Sequence, residues 1–431
     1  MASRITRFLL GLAVLAGPAR GRADEPAADA PPAAALAAEP TPAPTARLRG
    51  RIEADAVLAS QSAASKLLLG DLQNGYGFRR ARLGAEGKLG GAGEYVAEVD
   101  FAGGSVRLRD VFVGLTALPG VREARVGYFR EPFSLEGATS SRFITFLERS
   151  PLNQLDPTRN WGVAGYWWPD GERLTVAVGA FRTGTDGTGF SGGDEDAWAV
   201  TARLTGLPVD DLDADAPRLV HVGAAFSHRS PAGGVVRYAQ QPQSSLLALP
   251  DNPASPFLPP IDIPAAGQQL YNLQAAGVYG PASVQAEWFG TAIERQAGGV
   301  VFLHGFYAYG SLFLTGEHRG YSRTRAAFDR VVVRRPLVRT DGRPAAGFGA
   351  VELTARVSVA DFASPGLAAA PPAGTPGPTA GTVLYQATWG ANWYLNDYVR
   401  LMFNYTLAVP AVRGAPALPV HVFGLRTAVY W

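Results

Sequence analysis

From residue 47 onward the chain alternates apolar and polar residues with a period of two. In "DYVRLMFNYTLAV" (397–409), Val399, Leu401, Phe403, Tyr405 and Leu407 fall on one face, and Arg400, Asn404 and Thr406 on the other. "FGAVELTARVSVAD" (348–361) and "DAWAVTARLTGL" (196–207) repeat the pattern. Such alternation predicts half-buried strands, and no stretch carries the period of a long amphipathic helix. A soluble sandwich would alternate too. Three features favour a barrel in a membrane. The strands run to about 10–13 residues, which suits a tilted span of a bilayer better than the usual 5–6. Aromatics gather near strand ends, as in "YWWPD" (166–170) and "NWYLNDY" (392–398), where an interfacial girdle belongs. Tight connections such as 395–397 alternate with long ones at 229–269 and 361–380 that are rich in Pro, Gly and Ala.

Candidate strands lie near 49–58, 77–89, 94–102, 106–117, 122–130, 161–168, 173–182, 195–206, 217–228, 270–279, 282–293, 300–316, 347–360, 381–394, 397–409 and 418–431. They number sixteen, an even count of the kind that bacterial outer-membrane barrels use. The fold expected is all-β, a transmembrane antiparallel barrel of about sixteen strands. Residues 317–346 fit it badly: strand parity puts this long segment at the end where turns should be short. Either the turn is unusual or the count is off by a hairpin.

The first residues change the picture. "MASRITRFLLGLAVLAGPARGRADEP" sets Arg4 and Arg7 before an apolar run from Phe8 to Ala16, followed by small residues. This is the layout of a secretory signal peptide, and the run is too short to span a bilayer. We expect a signal over 1–23, an Ala/Pro-rich periplasmic tether over 24–46, and the barrel over 47–431. The chain ends in "HVFGLRTAVYW", an alternating strand closed by an aromatic. With the signal and the strand count, it points to outer-membrane assembly.

Composition adds less. The net charge is +2, too small to identify a partner, and nothing in the pattern points to nucleic acid. All but Lys66 and Lys88 of the 39 basic residues are Arg. Coding bias would account for that; so would a need for cations that grip oxyanions with a planar fork. There is no Cys, and the five His show no ligand spacing such as His-x-x-x-His. No nucleophile motif and no phosphate-cradling Gly loop is present, so neither an enzyme nor a cofactor site is expected.

The segment "GYFREPFSLEGATSSRFITFLERS" (127–150) starts as a strand and then loses its period until about Asn160. It carries more apolar side chains than a solvated loop would, among them Phe133, Leu135, Phe143, Ile144, Phe146 and Leu147. Its four arginines, Arg130, Arg142, Arg149 and Arg159, are balanced by Glu131, Glu136, Glu148 and Asp156. Arg130 and Arg149 have acidic neighbours in the chain and read as struts; Arg142 follows two serines and reads as the freest charge. On strand 77–89, if Leu83 and Leu89 face lipid, then Arg80, Arg82, Glu86 and Lys88 face the lumen. The opposite parity would cost about 2–4 kcal/mol for an Arg at mid-bilayer. Arg79 has the outward parity and is tolerable only at the rim or where the strand bends. Arg107 and Arg109 share a face with Val111 and Val113, and parity does not assign them. Luminal arginines either select anions or brace the wall against Glu86, Glu98 and Asp100. The basic run "RVVVRRPLVR" (330–339) reads as a solvated face or as a contact for lipid phosphate or a periplasmic partner.

Four stretches together resemble the phosphate-selective porin O/P family: "FRRARLGAEGKL" (78–89), residues 127–150, "GFYAYGSLFLTGEHRGYS" (305–322) and "ATWGANWYLNDYVRLMFNY" (387–405). The resemblance implies a sixteen-stranded barrel, usually a homotrimer, set in outer-membrane lipid by the barrel-assembly machinery and passing inorganic phosphate or other small anions. It implies that the third external loop, here 131–160, folds into the lumen. It also implies a set of anion-binding, pore-lining residues: Arg79 and Arg80 (with Arg82 by parity) on the wall, Asp100 on the next strand, and Ser141 with Arg142 on the loop. Arg142 stands where phosphate-selective members have lysine, so the charge is kept and its point geometry is not. A general porin, or a barrel that is chiefly a structural anchor, remains the alternative to an anion-selective pore.

Overall fold

The computed structural model describes residues 42–184, 197–214, 216–240, 258–339, 342–345, 347–364, 367, 382–412 and 416–431. The expected signal peptide and all but the last residues of the tether lie outside the described residues, as do parts of the Pro-rich connections.

Sixteen long strands make the wall: β1 Arg47–Gln61, β2 Gly75–Leu89, β3 Gly93–Asp100, β4 Arg107–Leu118, β5 Val121–Arg130, β6 Arg159–Trp167, β7 Leu174–Arg182 and β8 Trp198–Asp211; then β9 Arg218–Arg229, β10 Leu258–Tyr279, β11 Ala282–Arg295, β12 Val300–Phe313, β13 Ala350–Asp361, β14 Thr382–Tyr394, β15 Val399–Val412 and β16 Val420–Tyr430. Each pairs antiparallel with the next, and β16 pairs with β1 from Arg51↔Tyr430 to Gln61↔Val420, so the sheet closes. Closure pairs each of the sixteen wall strands on both sides, the condition for a sheet to cross hydrocarbon. One face of the wall exposes Leu83, Val163, Val178, Leu204, Phe306, Leu353 and Trp389, among others; the other buries polar residues such as Thr201, Asn272, Arg356 and Thr388. The period-two alternation thus sorts into an apolar outside and a polar inside.

One expectation changes and one open alternative closes. The connection 229–269 is not all loop: Val235–Gln240 is a strand, and β10 begins at Leu258 rather than near 270. Ile261, Ile263 and Ala265 are buried alternately with Asp262 and Pro264, so the prolines punctuate a strand extension instead of ending it. The misfit at 317–346 is an unusual turn: its two short strands pair with each other and add none to the wall, which keeps sixteen.

Two segments lie against the polar face. Residues 131–158 hold a one-turn helix, Leu135–Ala138, whose cap Ser134 accepts the Gly137 N–H at 2.8 Å. Its first turn is seated on β11: Glu287 accepts the N–H of Leu135 at 2.8 Å and of Glu136 at 2.7 Å. Wall side chains bond the segment's backbone carbonyls: Gln274 to Phe133, Arg400 to Ile144, Asn392 to Thr145, Arg426 to Leu147 and Arg356 to Glu148, at 2.6–3.1 Å. Phe133, Phe146, Leu152 and Leu155 are buried in a cluster with Phe289, Leu303, Tyr307 and Tyr309. Burying each such side chain is worth about 1.5–3 kcal/mol. That is where the apolar residues of this aperiodic segment go.

The second segment connects β12 to β13 at the short-turn end. It turns back as a small hairpin, Gly320–Ser322 paired with Ala327–Asp329. Arg203 donates to the Ala326 carbonyl at 2.8 Å, and the His221 ring nitrogen meets the Tyr321 hydroxyl at 2.7 Å. Phe328 packs with Leu207, Leu219, Ala276 and Val278 of the wall and with Leu135 of the first segment. The two segments therefore touch each other on the polar face of the wall.

Candidate functional site

The charged residues singled out by sequence converge on β1 to β4 and residues 141–148. β1 opens "RLRGRIEAD", which puts Arg47, Arg49, Arg51, Glu53 and Asp55 on one face at period two. β2 adds Arg80 and Arg82, and β3 adds Glu98 and Asp100. Arg80 donates to Glu53 and reaches Glu148 at 3.4 Å. Arg82 pairs with Asp100 at 2.7 Å and with Glu98 at 3.1 Å. Asp100 is shared with Arg109 at 2.9 Å and also accepts the N–H of Ala81 and Ala102. Arg80, Arg82, Glu98 and Asp100 are buried and each has at least two partners of opposite charge, the arrangement that a desolvated charge requires.

Two bulges explain what parity alone did not assign. Between β1 and β2 the register shifts, Glu53 facing Arg80 and Ala54 facing Phe78, so Arg79 is the extra residue. A bulge re-aims the side chain it carries. Arg79 turns to grip Glu148 with Nη2 at 3.0 Å, alongside Nε. Between β3 and β4 a second shift, Ala97↔Val111 to Val99↔Leu108, sends Arg109 to Asp100 and leaves Arg107 beside Ser105.

Residues 131–158 supply the rest. Glu148 binds Arg79, Arg80 and also Arg426 of β16, which holds Asp55 with two bonds at 2.6 and 2.7 Å. The field of Arg79, Arg80 and Arg426, outweighing burial, holds the Glu148 carboxyl well below the usual range. Ser141 accepts from Arg51 at 2.8 Å. Arg142 stands apart. It approaches Glu98 at 3.7 Å without bonding it, its side chain is 10 % exposed, and its Nε and Nη2 have no hydrogen-bond partner among the described residues. Burial, and then the charges of Arg49 and Arg330 against those of Glu98 and Glu86, lower its affinity for a proton.

Arg130 and Arg149 are struts with other partners than their neighbours in sequence. Arg130 pairs with Asp156 at 2.8 Å, and Arg149 donates to the carbonyls of Glu136 and Thr139. Arg159 makes a two-bond pair with Asp110, and Glu131 pairs with Arg229. Sequence reasoning missed Arg49, Arg51 and Arg426. The first two were visible as basic residues at i, i+2 on the first strand; Arg426 was hidden because its partner Asp55 lies at the other end of the chain.

A family model for phosphate-selective porin O and P matches residues 48–409. An uncharacterized protein of Caulobacter vibrioides is 28% identical over 404 residues, which cover 88% of this chain and 73% of that one. Among solved structures, OmpT of Vibrio cholerae with loop L8 deleted is similar at a TM-score of 0.53 and 12% identity, over 90% of this chain and 100% of that chain. An anion-selective porin from Comamonas acidovorans is similar at a TM-score of 0.51 and 13% identity, with 90% and 100% covered. At such identity these two likenesses speak for the barrel fold. The family match spans the wall from the first strand into the fifteenth, and the chain belongs to the phosphate-selective porin O and P family.

Proposed function

We propose that the protein is an outer-membrane channel, not an enzyme, that passes small anions, inorganic phosphate among them. In this reading it is exported by a cleaved signal, inserted into outer-membrane lipid by the assembly machinery, and oriented with its long loops outward and the 314–349 turn in the periplasm. Residues 131–158 form the constriction. A homotrimer is the assembly that the family likeness favours. The observation that carries the reading is Arg142, a largely buried guanidinium on residues 131–158 whose Nε and Nη2 have no hydrogen-bond partner among the described residues. Such a group can replace water lost by an oxyanion in a narrow pore. Family membership and the anion-selective porin of Comamonas acidovorans support the same reading.

A test is the reversal potential across a salt gradient in planar bilayers. The wild-type pore should prefer anions, and Arg142→Ala should lower that preference while the barrel keeps its heat-modifiable mobility. An unselective wild type, or an unchanged variant, would sink the anion reading. One observation favours a general porin instead: Arg79, Arg80 and Arg82 all have carboxylate partners, so this part of the wall carries little free charge.

A further inference from the structure

The polar face of β8 to β12 carries six buried side chains whose bonds run between the two segments that lie on it: Arg203, His221, Gln274, Gln285, Glu287 and Tyr307. They form two chains. The first begins at the hairpin of the β12–β13 turn. Arg203 donates to the Ala326 carbonyl at 2.8 Å and to Gln274 Oε1 at 2.9 Å. His221 meets the Tyr321 hydroxyl through Nδ1 at 2.7 Å and Gln274 Oε1 through Nε2 at 3.2 Å. Gln274 Nε2 donates to the Phe133 carbonyl at 2.6 Å and to Asn272 Oδ1 at 2.7 Å. Each partner here fixes the next. Arg203 only donates and the Phe133 carbonyl only accepts, so the Gln274 amide has one orientation. Its oxygen only accepts, so the proton of a neutral His221 sits on Nε2, and Nδ1 accepts from the Tyr321 hydroxyl.

The second chain begins at Arg319, just before the hairpin. Its guanidinium lies over the rings of Phe328 and Tyr309, 3.4 and 5.4 Å from their centroids, and donates to Gln285 Oε1 at 3.2 Å. That oxygen also accepts from the Tyr309 hydroxyl at 2.7 Å, and Gln285 Nε2 donates to the Tyr307 hydroxyl at 2.6 Å. Tyr307 donates to Glu287, which accepts the N–H groups of Leu135 and Glu136. Both chains therefore end on Phe133 to Glu136, the root of the 131–158 segment, and Phe328 of the turn packs on Leu135 as well. A buried network in which each group has its partner admits few arrangements, since a shift that breaks one bond strands a desolvated group. The turn cannot move without either breaking both chains or carrying the root of the segment with it.

We propose that Gln274 and Gln285 are positioning residues of the pore, which key the root of residues 131–158 to the β12–β13 turn so that a displacement of the turn shifts the constriction. The inference rests on the reading of residues 131–158 as the constriction, and not on which ion passes. Each glutamine suits the task because its amide accepts from the side of the turn and donates toward the segment. A carboxylate of similar size would keep only the first of those directions, and an aliphatic side chain neither.

The experiment uses the full-length protein in planar bilayers, with Ser140→Cys on the 131–158 segment as the sole thiol of the chain. Its rate of modification by a small methanethiosulfonate, read from the fall in current, reports where the segment lies. Arg323→Ala displaces the turn from outside both chains, because Arg323 holds the hairpin to Asp210 at 2.7 and 2.9 Å. It should change the modification rate by about fivefold, the size that one net hydrogen bond gives an equilibrium. With Gln274→Leu and Gln285→Leu also present, Arg323→Ala should change the rate by less than about twofold. A residue that merely braces the wall would alter the rate and leave the Arg323→Ala ratio as it was, so an unreduced ratio overturns the inference. So does an Arg323→Ala protein modified at the same rate as Ser140→Cys alone. If the double leucine variant does not assemble, Gln274→Met and Gln285→Met are made singly, and each should reduce the ratio; an unreduced ratio in both overturns the inference. If modification, confirmed by mass, leaves the current unchanged, residues 131–158 are not the constriction, and the reading beneath falls instead.

Discussion

Arg80 has a carboxylate on each side, Glu53 and Glu148, whereas Arg142 has one at 3.7 Å and two nitrogens with no bond among the described residues. The same guanidinium is a strut in the first setting and a binding group in the second. Glu148 is the joint among the struts, since Arg79, Arg80 and Arg426 all converge on it. Glu148→Ala would leave the buried Arg80 and Arg426 and the part-buried Arg79 with fewer partners, and breaking such a network from one side costs about 3–5 kcal/mol. The expected outcome is a lower temperature for the heat-modifiable transition and noisier single-channel current, as residues 131–158 lose their hold on β2 and β16. Unchanged mobility and quiet current would mean that the backbone bonds to Arg356, Asn392 and Arg400 suffice. Asp156 gives the segment a pH dependence. Burial pushes its carboxyl up to about 6, against the pull of Arg130 and Arg149. The folded state therefore holds a proton that the unfolded chain releases near the ordinary value of about 3.9. Its contribution to stability is full below that value and is lost as pH rises through about 6. Ionisation also neutralises Arg130 at 2.8 Å. Anion preference should then fall between pH 5 and pH 8, and Asp156→Asn should flatten that change in reversal potential. A variant with the wild-type pH profile would exclude Asp156 as its source.

The strands were legible in the sequence because one rule, period two with one face apolar, governs each of them. All sixteen candidate positions carry a wall strand. The bulges were not legible: nothing in "FRRAR" marks Arg79 as the extra residue, because the shift is set by pairing with β1. Partner choice was illegible for the same reason. Arg130 was read against Glu131 and meets Asp156, while Glu131 meets Arg229, 98 positions away. The β12–β13 turn was visible only as a misfit in length. Its hairpin is pinned by Arg323, which makes two bonds to Asp210 at 2.7 and 2.9 Å, and by Arg203 and His221. Because Phe328 reaches Leu135, this turn and the 131–158 segment share one packed contact across the interior. Replacing 317–346 with a tight two-residue turn should raise single-channel conductance, since the side chains it withdraws occupy the inner space beside β7 to β11. Arg323→Ala is the milder form and should add brief openings to the larger level. If the shortened protein conducts as the wild type does, the turn lies clear of the ion path.

A closed wall depends on its last strand meeting its first, and those strands are separated by nearly the whole chain. Eleven residue pairs join β1 to β16, and the seam is finished at one end by Trp431 and Gly50. Gly50 N–H bonds the Trp431 carbonyl at 3.0 Å, and Trp431 N–H bonds the Gly50 carbonyl at 3.1 Å. The indole lies directly on Gly50: a Cβ there would sit 2.2 Å from Trp431 Cζ2. Glycine is needed at this position for close approach rather than for its dihedral freedom. The terminal aromatic noted in the sequence thus has a defined seat, which sequence could not supply because the seat is 381 positions away. Two backbone bonds at about 1 kcal/mol each are a small part of the finished barrel's stability. Their larger effect is expected on assembly, because long-range closure bears the entropy cost before its contacts form. Deleting Trp431 should reduce the fraction reaching the outer membrane in the heat-modifiable form. Gly50→Leu should do the same by displacing the ring, whereas Trp431→Phe should retain most of the yield. The measurement is the folded fraction in outer-membrane preparations, compared at equal synthesis. Full yield from both the deletion and Gly50→Leu would show that β1 and β16 find each other without this clasp.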